Sequence, residues 1–596
     1  MGAEQVENQK EQGFFQKFFD EERRSRLAQV ILLSIAIPLM LLIAIPFEIY
    51  CTNIEEFRVV LSDFIWCLIL LFLGDVILNF VFFMVLPQKV YKIFYCLALA
   101  LAVMLFIQSN YLNFDLHSLG GDEAELSFSV GQIIVDVLVW VIVFVGVILC
   151  SYLITNKADI VKMVVTVLSV ILVATQFVAV MTACLTTKDL NRDGTTQYFG
   201  SYEPKIVTMK NINTVSSNKN VIVFVVDRFD GALFAEPVIE NDPTFFSKLD
   251  GFTYFNDYIS LYGHTYPATA SMITNIEYAS ERERETYFDK AYANNQTISK
   301  LNDLNYSVNI YTDPYYSFSN GGALPEYVEN TVSVDASGRE VKQPFLLALK
   351  FVRMGLYRCA PLPLKSLVGQ ESSASCSNMI SFSTLEEKEF SVDMKGIYQK
   401  LTASDFNLNE DKNVFNFIHL EGLHNVRYDD NWEQPKGEDR GNLAFSLKNS
   451  FKIIYRYIEQ MKALGVYNDA TIIITGDHAS PGSDFAPLDK QKLTALFVKP
   501  SGSYGTPLQI NSAPVSQDNL WATIFKSENI TSVQTTQKSV FDLSPSDLVE
   551  RKYLWHYSDL GVFKEQQLSI VGSGRDYNNW TETKTITINS ADYPWR

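Results

Sequence analysis

What this 596-residue sequence has little of is informative first. Charged residues make up 19%, below the roughly 25% of soluble domains. Positive charge is short: 49 Lys and Arg stand against 67 Asp and Glu, a formal net charge of −18. A nucleic-acid binder needs a basic face to neutralise phosphates, so that class is excluded. Internal repeats and low-complexity tracts are absent. Histidine numbers only six and cysteine seven, so the place of each one matters. Aromatics are plentiful at 13%, with 41 Phe and 30 Tyr, which excludes a disordered chain. The length suits roughly two to four domains at about 150 residues each.

Apolar residues reach 47% and are unevenly placed. Residues 28–50, 64–86, 91–108, 129–154 and 163–186 form five apolar runs, each near the ~20 residues that cross ~30 Å of hydrocarbon as a helix. Basic residues then set the expected orientation. Lys10, Lys17, Arg23, Arg24 and Arg26 precede the first run, Lys89 and Lys92 lie between the second and third, and Lys157 and Lys162 between the fourth and fifth. The 51–58 turn has only Arg58, and the 109–128 loop has no Lys or Arg but carries Asp115, Asp122, Glu123 and Glu125. The positive-inside rule makes the N-terminus cytoplasmic. Five spans then place everything after Thr187 outside the cytoplasmic membrane, in an extracellular or periplasmic space. Phe14 to Leu27 mixes aromatic and basic residues, as an interfacial helix would or as an ordinary charged flank would. Asp75, Asn79 and Asp136 lie inside the spans; intramembrane acids mark function or are satisfied by neighbouring helices.

Beyond a polar, turn-rich linker at 188–218 the pattern changes. Val221 to Val226 is an unbroken apolar run, as expected of a parallel strand buried on both faces. Similar runs lie at 306–311, 414–420, 471–476 and 494–499. Between them, Leu447, Phe451, Ile454, Ile458 and Met461 repeat with helical spacing, and Gly465 follows where a C-terminal cap belongs. Alternating strands and helices predict an α/β, doubly wound and mainly parallel sheet. The expected division is a cytoplasmic segment 1–27, a five-helix transmembrane domain 28–187, the linker 188–218, an extracytoplasmic catalytic domain 219–536 and a C-terminal extension 537–596. Of the cysteines, only Cys359 and Cys376 fall in the outer domain. In an oxidising space they form a candidate disulfide, with two free thiols as the alternative.

Chemistry in such a sheet gathers beyond the carboxyl ends of the strands. The first run ends in Asp227, the third in His419-Leu-Glu421-Gly-Leu-His424, the fourth in Gly476-Asp477-His478. Two Asp and one His at neighbouring strand ends suit a divalent cation. Gly263-His264-Thr265-Tyr-Pro267-Ala-Thr269 opens a predicted helix. Thr265 there is either an N-cap or a hydroxyl facing unpaired N–H groups that favour a phosphoryl oxygen and an alkoxide.

Taken in order, VIVFVVD, T-x-P-A at 265–268, HLEGLH and TIIITGDH resemble the alkaline phosphatase–sulfatase superfamily over residues 219–510. Five preceding spans resemble its membrane-anchored branch, the lipoteichoic acid synthases and lipid A phosphoethanolamine transferases. The resemblance implies metal ligation by Asp227, Thr265, Asp477 and His478, with Thr265 as the nucleophile. It implies substrate contact at His424, with His419 and Glu421 in the same motif. Departures narrow it. Thr265, and Thr269 in place of an arginine, argue against the sulfate-ester hydrolases that oxidise a Cys or Ser in C/S-x-P-x-R. Leu420 stands where two-metal relatives carry Asp, which favours one cation, Mn²⁺ or Zn²⁺. Asp227 replaces the Glu common among the membrane transferases. The implied function is metal-dependent transfer of a phospholipid headgroup, glycerol phosphate or phosphoethanolamine, to a cell-surface glycan or lipid through a phospho-threonine. The alternatives are a hydrolase of the same fold, a phosphodiesterase rather than a sulfuric ester hydrolase, and a non-enzymatic scaffold.

Overall fold

A backbone crossing hydrocarbon must satisfy its own N–H and C=O groups, so long apolar runs fold as helices. The computed structural model describes residues 21–588, except 55–56, 114–127, 154–157, 189, 191, 279–283, 294, 319–320, 370, 372, 383–387, 425–428, 430, 433–442, 481–485, 533–535 and 560–561. Five helices long and apolar enough to cross a membrane are present: α1 (Arg23–Thr52), α2 (Ile65–Val85), α3 (Gln88–Tyr111), α4 (Val130–Leu153) and α5 (Ala158–Thr186). They match the five runs read from sequence. The first half of the interfacial segment at Phe14 to Leu27, residues 14–20, lies outside the described residues, as does Lys157.

The chain divides into two compact units. The first holds α1–α5 together with residues 339–381, which the sequence reading counts in the catalytic domain. At one end of this unit Arg26 is buried, donates to Met84 O (3.0 Å) and Leu86 O (2.9 Å), and lies over the Tyr91 ring. At the ends of α1, α3 and α4 sits a return helix, Pro344–Cys359. Its Phe351 stacks on Phe64 at 4.2 Å and meets Tyr50 and Phe57. Its Arg358 pairs with Glu48 (3.1 Å) and donates to Ser109 O (3.1 Å). Just beyond it, Leu362 N–H donates to Asp136 Oδ2 (3.0 Å). Asp136, inside the apolar helix α4, is therefore held by the backbone of the return segment. Asn79 makes a local bond to Asp75 O.

The expected disulfide is not formed. Cys359 and Cys376 are free thiols buried in the apolar cluster around Phe351 and Met354. Burial pushes both thiols up to about 12, so they stay protonated and behave as small apolar side chains.

The second unit is built on a seven-stranded sheet. Its strands are β1 (Asn220–Val226), β2 (Thr253–Phe255), β3 (Tyr306–Tyr311), β4 (Asn413–Leu420), β5 (Thr471–Thr475), β6 (Leu496–Lys499) and β7 (Gln509–Asn511). The order across the sheet is β7-β2-β6-β5-β1-β4-β3. β5, β1, β4 and β3 are parallel neighbours, while β6 runs antiparallel to both β5 and β2. The sheet is thus mainly parallel with one reversed strand. The short strands β2 and β7 are absent from the sequence reading, because three residues carry no periodic signal. Helix α6 (Thr265–Thr274) follows β2, α7 (Leu443–Ala463) precedes β5, and α8 (Asn519–Ser527) follows β7. The apolar stripe of α7 from Leu447 to Met461 is buried, and Gly465 adopts φ +73° as the expected left-handed cap.

The C-terminal extension forms an antiparallel sheet, β8 (Glu550–Asp559), β9 (Val562–Val571) and β10 (Trp580–Thr587). The fully buried Arg551 fastens it: its guanidinium donates to Asp257 Oδ1 (3.0 Å), Asp257 O (2.8 Å), Val515 O (3.1 Å) and Gly572 O (2.5 Å). A buried cation is tolerated when paired and hydrogen-bonded in this way.

Candidate metal centre and active site

Three adjacent parallel strands bring the site together. β4, β1 and β5 lie side by side, so residues just past their carboxyl ends become neighbours. Asp227 leaves β1, Asp477 and His478 leave β5, and His419 sits near the end of β4. Asp227, Asp477 and His478 each offer a ligand atom within 4.8 Å of the others, and all three are buried. Close approach at the β4 tip requires glycine: Gly422 has φ +60°, and a Cβ there would lie 2.4 Å from Asp227 N and 2.5 Å from Asp227 O. Leu423 N–H then donates to Asp227 O (2.8 Å), which ties the two tips.

The donor set is oriented inward. His478 Nδ1 contacts Ala479 O at 2.7 Å, which fixes Nδ1 as the protonated nitrogen and leaves Nε2 with its lone pair free to accept a proton or bind a cation. Nε2 faces Asp227 Oδ1 (3.8 Å) and Asp477 Oδ2 (3.6 Å). Asp477 Oδ1 accepts from Arg228 N (3.0 Å) and His478 N (2.9 Å), while Asp477 Oδ2 and Asp227 Oδ1 are buried without a hydrogen-bond partner. Two buried, unfilled carboxylate oxygens beside an imidazole lone pair cost several kcal/mol unless a cation answers them. The residues present therefore fit a divalent cation, and the mixed oxygen and nitrogen set suits Mn²⁺ or Zn²⁺.

Thr265 reaches the same point. His264 before it is extended, Tyr266 after it is non-helical, and helical geometry begins at Pro267. Its hydroxyl donates to Asp227 Oδ2 (3.3 Å) and lies 3.4 Å from His478 Nε2. The buried Thr269 hydroxyl has no hydrogen-bond partner among the described residues.

The HLEGLH residues divide. His419 belongs to the cluster: Nε2 lies 3.6 Å from Asp227 Oδ2, and Nδ1 contacts the Thr312 hydroxyl (3.0 Å). Burial disfavours its charge, yet Asp227, Asp477 and Glu421 together outweigh this and raise its pKa above the usual value. Glu421 and His424 form a second pair at 3.8 Å. Burial, with Arg228 adding to it, pushes His424 down to about 3, so it is neutral at physiological pH.

Several site residues escape the sequence reading. Arg228 adjoins Asp227, adopts φ +56°, and holds Asp477 through its backbone N–H. The Ser260 hydroxyl donates to Asp477 O (2.5 Å). The C-terminal sheet supplies a wall: Trp555 stacks on His264 at 5.3 Å, and His556 Nε2 contacts Glu565 Oε2 at 3.0 Å in full burial. Only the position of Arg228, next to a predicted ligand, could have drawn attention.

No family model matches the chain, and no curated protein matches it in sequence. Solved structures are similar to its fold at low identity. The lipoteichoic acid synthase LtaP from Listeria monocytogenes is 12% identical, with 65% of this chain and 91% of that one covered and a TM-score of 0.31. A protein in the alkaline phosphatase superfamily from Vibrio parahaemolyticus is 10% identical, covering 65% and 86%, with a TM-score of 0.33. The phosphonate monoester hydrolase SpPMH from Silicibacter pomeroyi is 13% identical, covering 63% and 89%, with a TM-score of 0.31. Superpositions this loose transfer no residue role to this chain.

Proposed function

We propose that the chain is a membrane-anchored, metal-dependent phosphotransferase of the alkaline phosphatase–sulfatase kind, acting on a phospholipid headgroup outside the cytoplasmic membrane. The observation that carries this reading is the Thr265 hydroxyl, held between Asp227 and His478 at the start of α6. A hydroxyl needs a partner for its proton and a field that favours its anion to act as a nucleophile. A divalent cation held by Asp227, Thr265, Asp477 and His478 would supply positive charge to the alkoxide and to the phosphoryl oxygens.

The chain's own residues do the rest. Thr265 Oγ1 attacks phosphorus, and its proton leaves toward Asp227 Oδ2, which it already faces. The bond from phosphorus to the diacylglycerol oxygen breaks, and that oxygen takes up the proton that Thr265 released. A second alcohol then attacks the phosphorus of the phospho-threonine; the bond from phosphorus to Thr265 Oγ1 breaks, and the alcohol's proton restores the Thr265 hydroxyl. Neutral His424, with Glu421 beside it, contacts substrate rather than repelling a cation nearby.

The topology supports the donor. Arg26 marks one end of the helices, and the return segment, whose sequence is flanked on both sides by the second unit, marks the other, touching Glu48, Ser109 and Asp136. That is the arrangement expected if the turns after α1 and α3 lie outside the cytoplasmic membrane, where the distribution of basic residues puts them. Headgroup-labelled phospholipid separates transfer from hydrolysis. A transferase loses label much faster when an alcohol acceptor is added, and the label moves to that acceptor. Equal loss with and without acceptor, the label appearing as free headgroup, would establish the hydrolase instead.

A further inference from the structure

The outward face of the return helix runs against the pattern of a helix in water. Its inner arc, with Leu347, Phe351, Met354 and Gly355, is buried within the first unit. A Cβ at Gly355 would lie 3.4 Å from Ile45 Cγ2 and 3.6 Å from Pro46 Cδ, so the seat on α1 is close. Its outer arc holds Phe345, Leu346, Leu349 and Leu356, 40–52% exposed. Phe345, Leu349 and Leu356 are spaced by four and seven, which aligns them in one stripe. The charge on this arc, Arg353, turns aside, donating to Val368 O (2.7 Å) and Glu371 Oε1 (2.7 Å). The display continues past the helix with Leu364 at 47% and Leu367 at 73% exposed. A surface helix of a soluble domain turns polar residues outward, and a continuous apolar patch marks a binding surface.

Three observations select a lipid leaflet as the occupant. First, the spans of the same unit present the same kind of surface: Leu70, Leu73, Ile77, Leu78 and Val81 of α2 are 47–69% exposed. Second, the segment sits at the ends of the spans, bonded to Glu48, Ser109 and Asp136. Third, the 16-residue helix carries Lys350, Arg353 and Arg358, too short and too charged to cross hydrocarbon. An apolar stripe flanked by cationic groups, on a helix that does not span, is the form of an element lying in the interfacial plane.

We propose that residues 344–368 are an interfacial membrane element. The return helix lies at the headgroup–acyl boundary of the leaflet next to the turns after α1 and α3, with Phe345, Leu349, Leu356 and Leu367 among the acyl chains. The catalytic unit is thereby tied to the bilayer at a second point in its sequence. This inference rests on the five spans being membrane helices and is independent of the phosphoryl chemistry.

The test uses the full chain in phosphatidylcholine–phosphatidylglycerol nanodiscs. p-Benzoylphenylalanine replaces Leu349 or Leu367, with Leu78 as a lipid-facing control and the exposed Lys584 as a water-facing one. On illumination Leu349 and Leu367 should give phospholipid adducts by mass, at yields within about threefold of Leu78, and Lys584 none. Adducts at Leu78 alone would overturn the proposal while leaving the spans intact. Crosslinks from Leu349 to a second copy of the chain would overturn it in favour of a dimer face. All four sites are exposed, so none of the replacements disturbs packing.

Discussion

At the scale of single residues, the site is a balance of buried charge. Asp227 and Asp477 carry unpartnered oxygens that point at the same place as His478 Nε2. Metal analysis of the purified chain should therefore give about one equivalent of Mn²⁺ or Zn²⁺, falling at least tenfold in Asp477→Ala; two tight equivalents would point to a two-metal phosphodiesterase. The two threonines of the 265–269 segment should behave oppositely. Thr265→Ala should lower activity by about 10⁴–10⁶-fold, as for nucleophile deletions elsewhere, and Thr265→Ser should keep part of it. Thr269→Val should leave the enzyme active and no less stable, because it removes a buried hydroxyl that bonds to nothing. Steady-state rates and thermal midpoints on the three variants check this. Asp227, Asp477 and His478 were legible in the sequence because each ends an apolar run, and a strand's end fixes where its next residue goes. Ser260 and Trp555 were not, since they act through loop and sheet contacts that no local pattern announces.

At the scale of elements, runs and stripes were read well and isolated turns poorly. The strands at 221–226 and 471–475 are buried at every position, which is why an unbroken apolar run sufficed. The return helix was not legible as part of the first unit. It is apolar on both faces, and sequence alone does not say whether such a helix faces a core or lipid. The start of α8 gives an element-scale prediction. Asp518 precedes that helix, makes no side-chain capping bond, and is pushed up to about 6 by burial, with Glu277 adding to it. A carboxyl whose folded-state pKa is raised contributes stability only while protonated, so this contribution fades as pH rises through about 6. Asp518→Asn should raise the thermal midpoint at pH 7.5, with up to about 2–3 kcal/mol of added stability at ~1.4 kcal/mol per pH unit, add roughly half as much at pH 5, and change it little below the unfolded value of about 3.9. A variant less stable at pH 7.5 would show that the charged carboxylate is needed there.

At the scale of the whole molecule, five helices long and apolar enough to cross a membrane precede a mainly parallel sheet whose strand ends converge on a threonine. The expected orientation follows from basic residues at one set of turns. A reporter active only outside the cytoplasm should work when fused after Arg596 and stay silent when fused after Lys157; the reverse would overturn the extracytoplasmic location and put the cell-surface acceptor out of reach. The central claim is covalent transfer through Thr265, and the mass of the peptide that contains it tests this most directly. After incubation of the full chain with phosphatidylglycerol or phosphatidylethanolamine, and rapid quenching, the Thr265 peptide should gain the mass of glycerol phosphate or of phosphoethanolamine. The gain should be absent in Thr265→Ala. An unmodified Thr265 peptide, recovered while the same sample turns over phospholipid, would contradict the account.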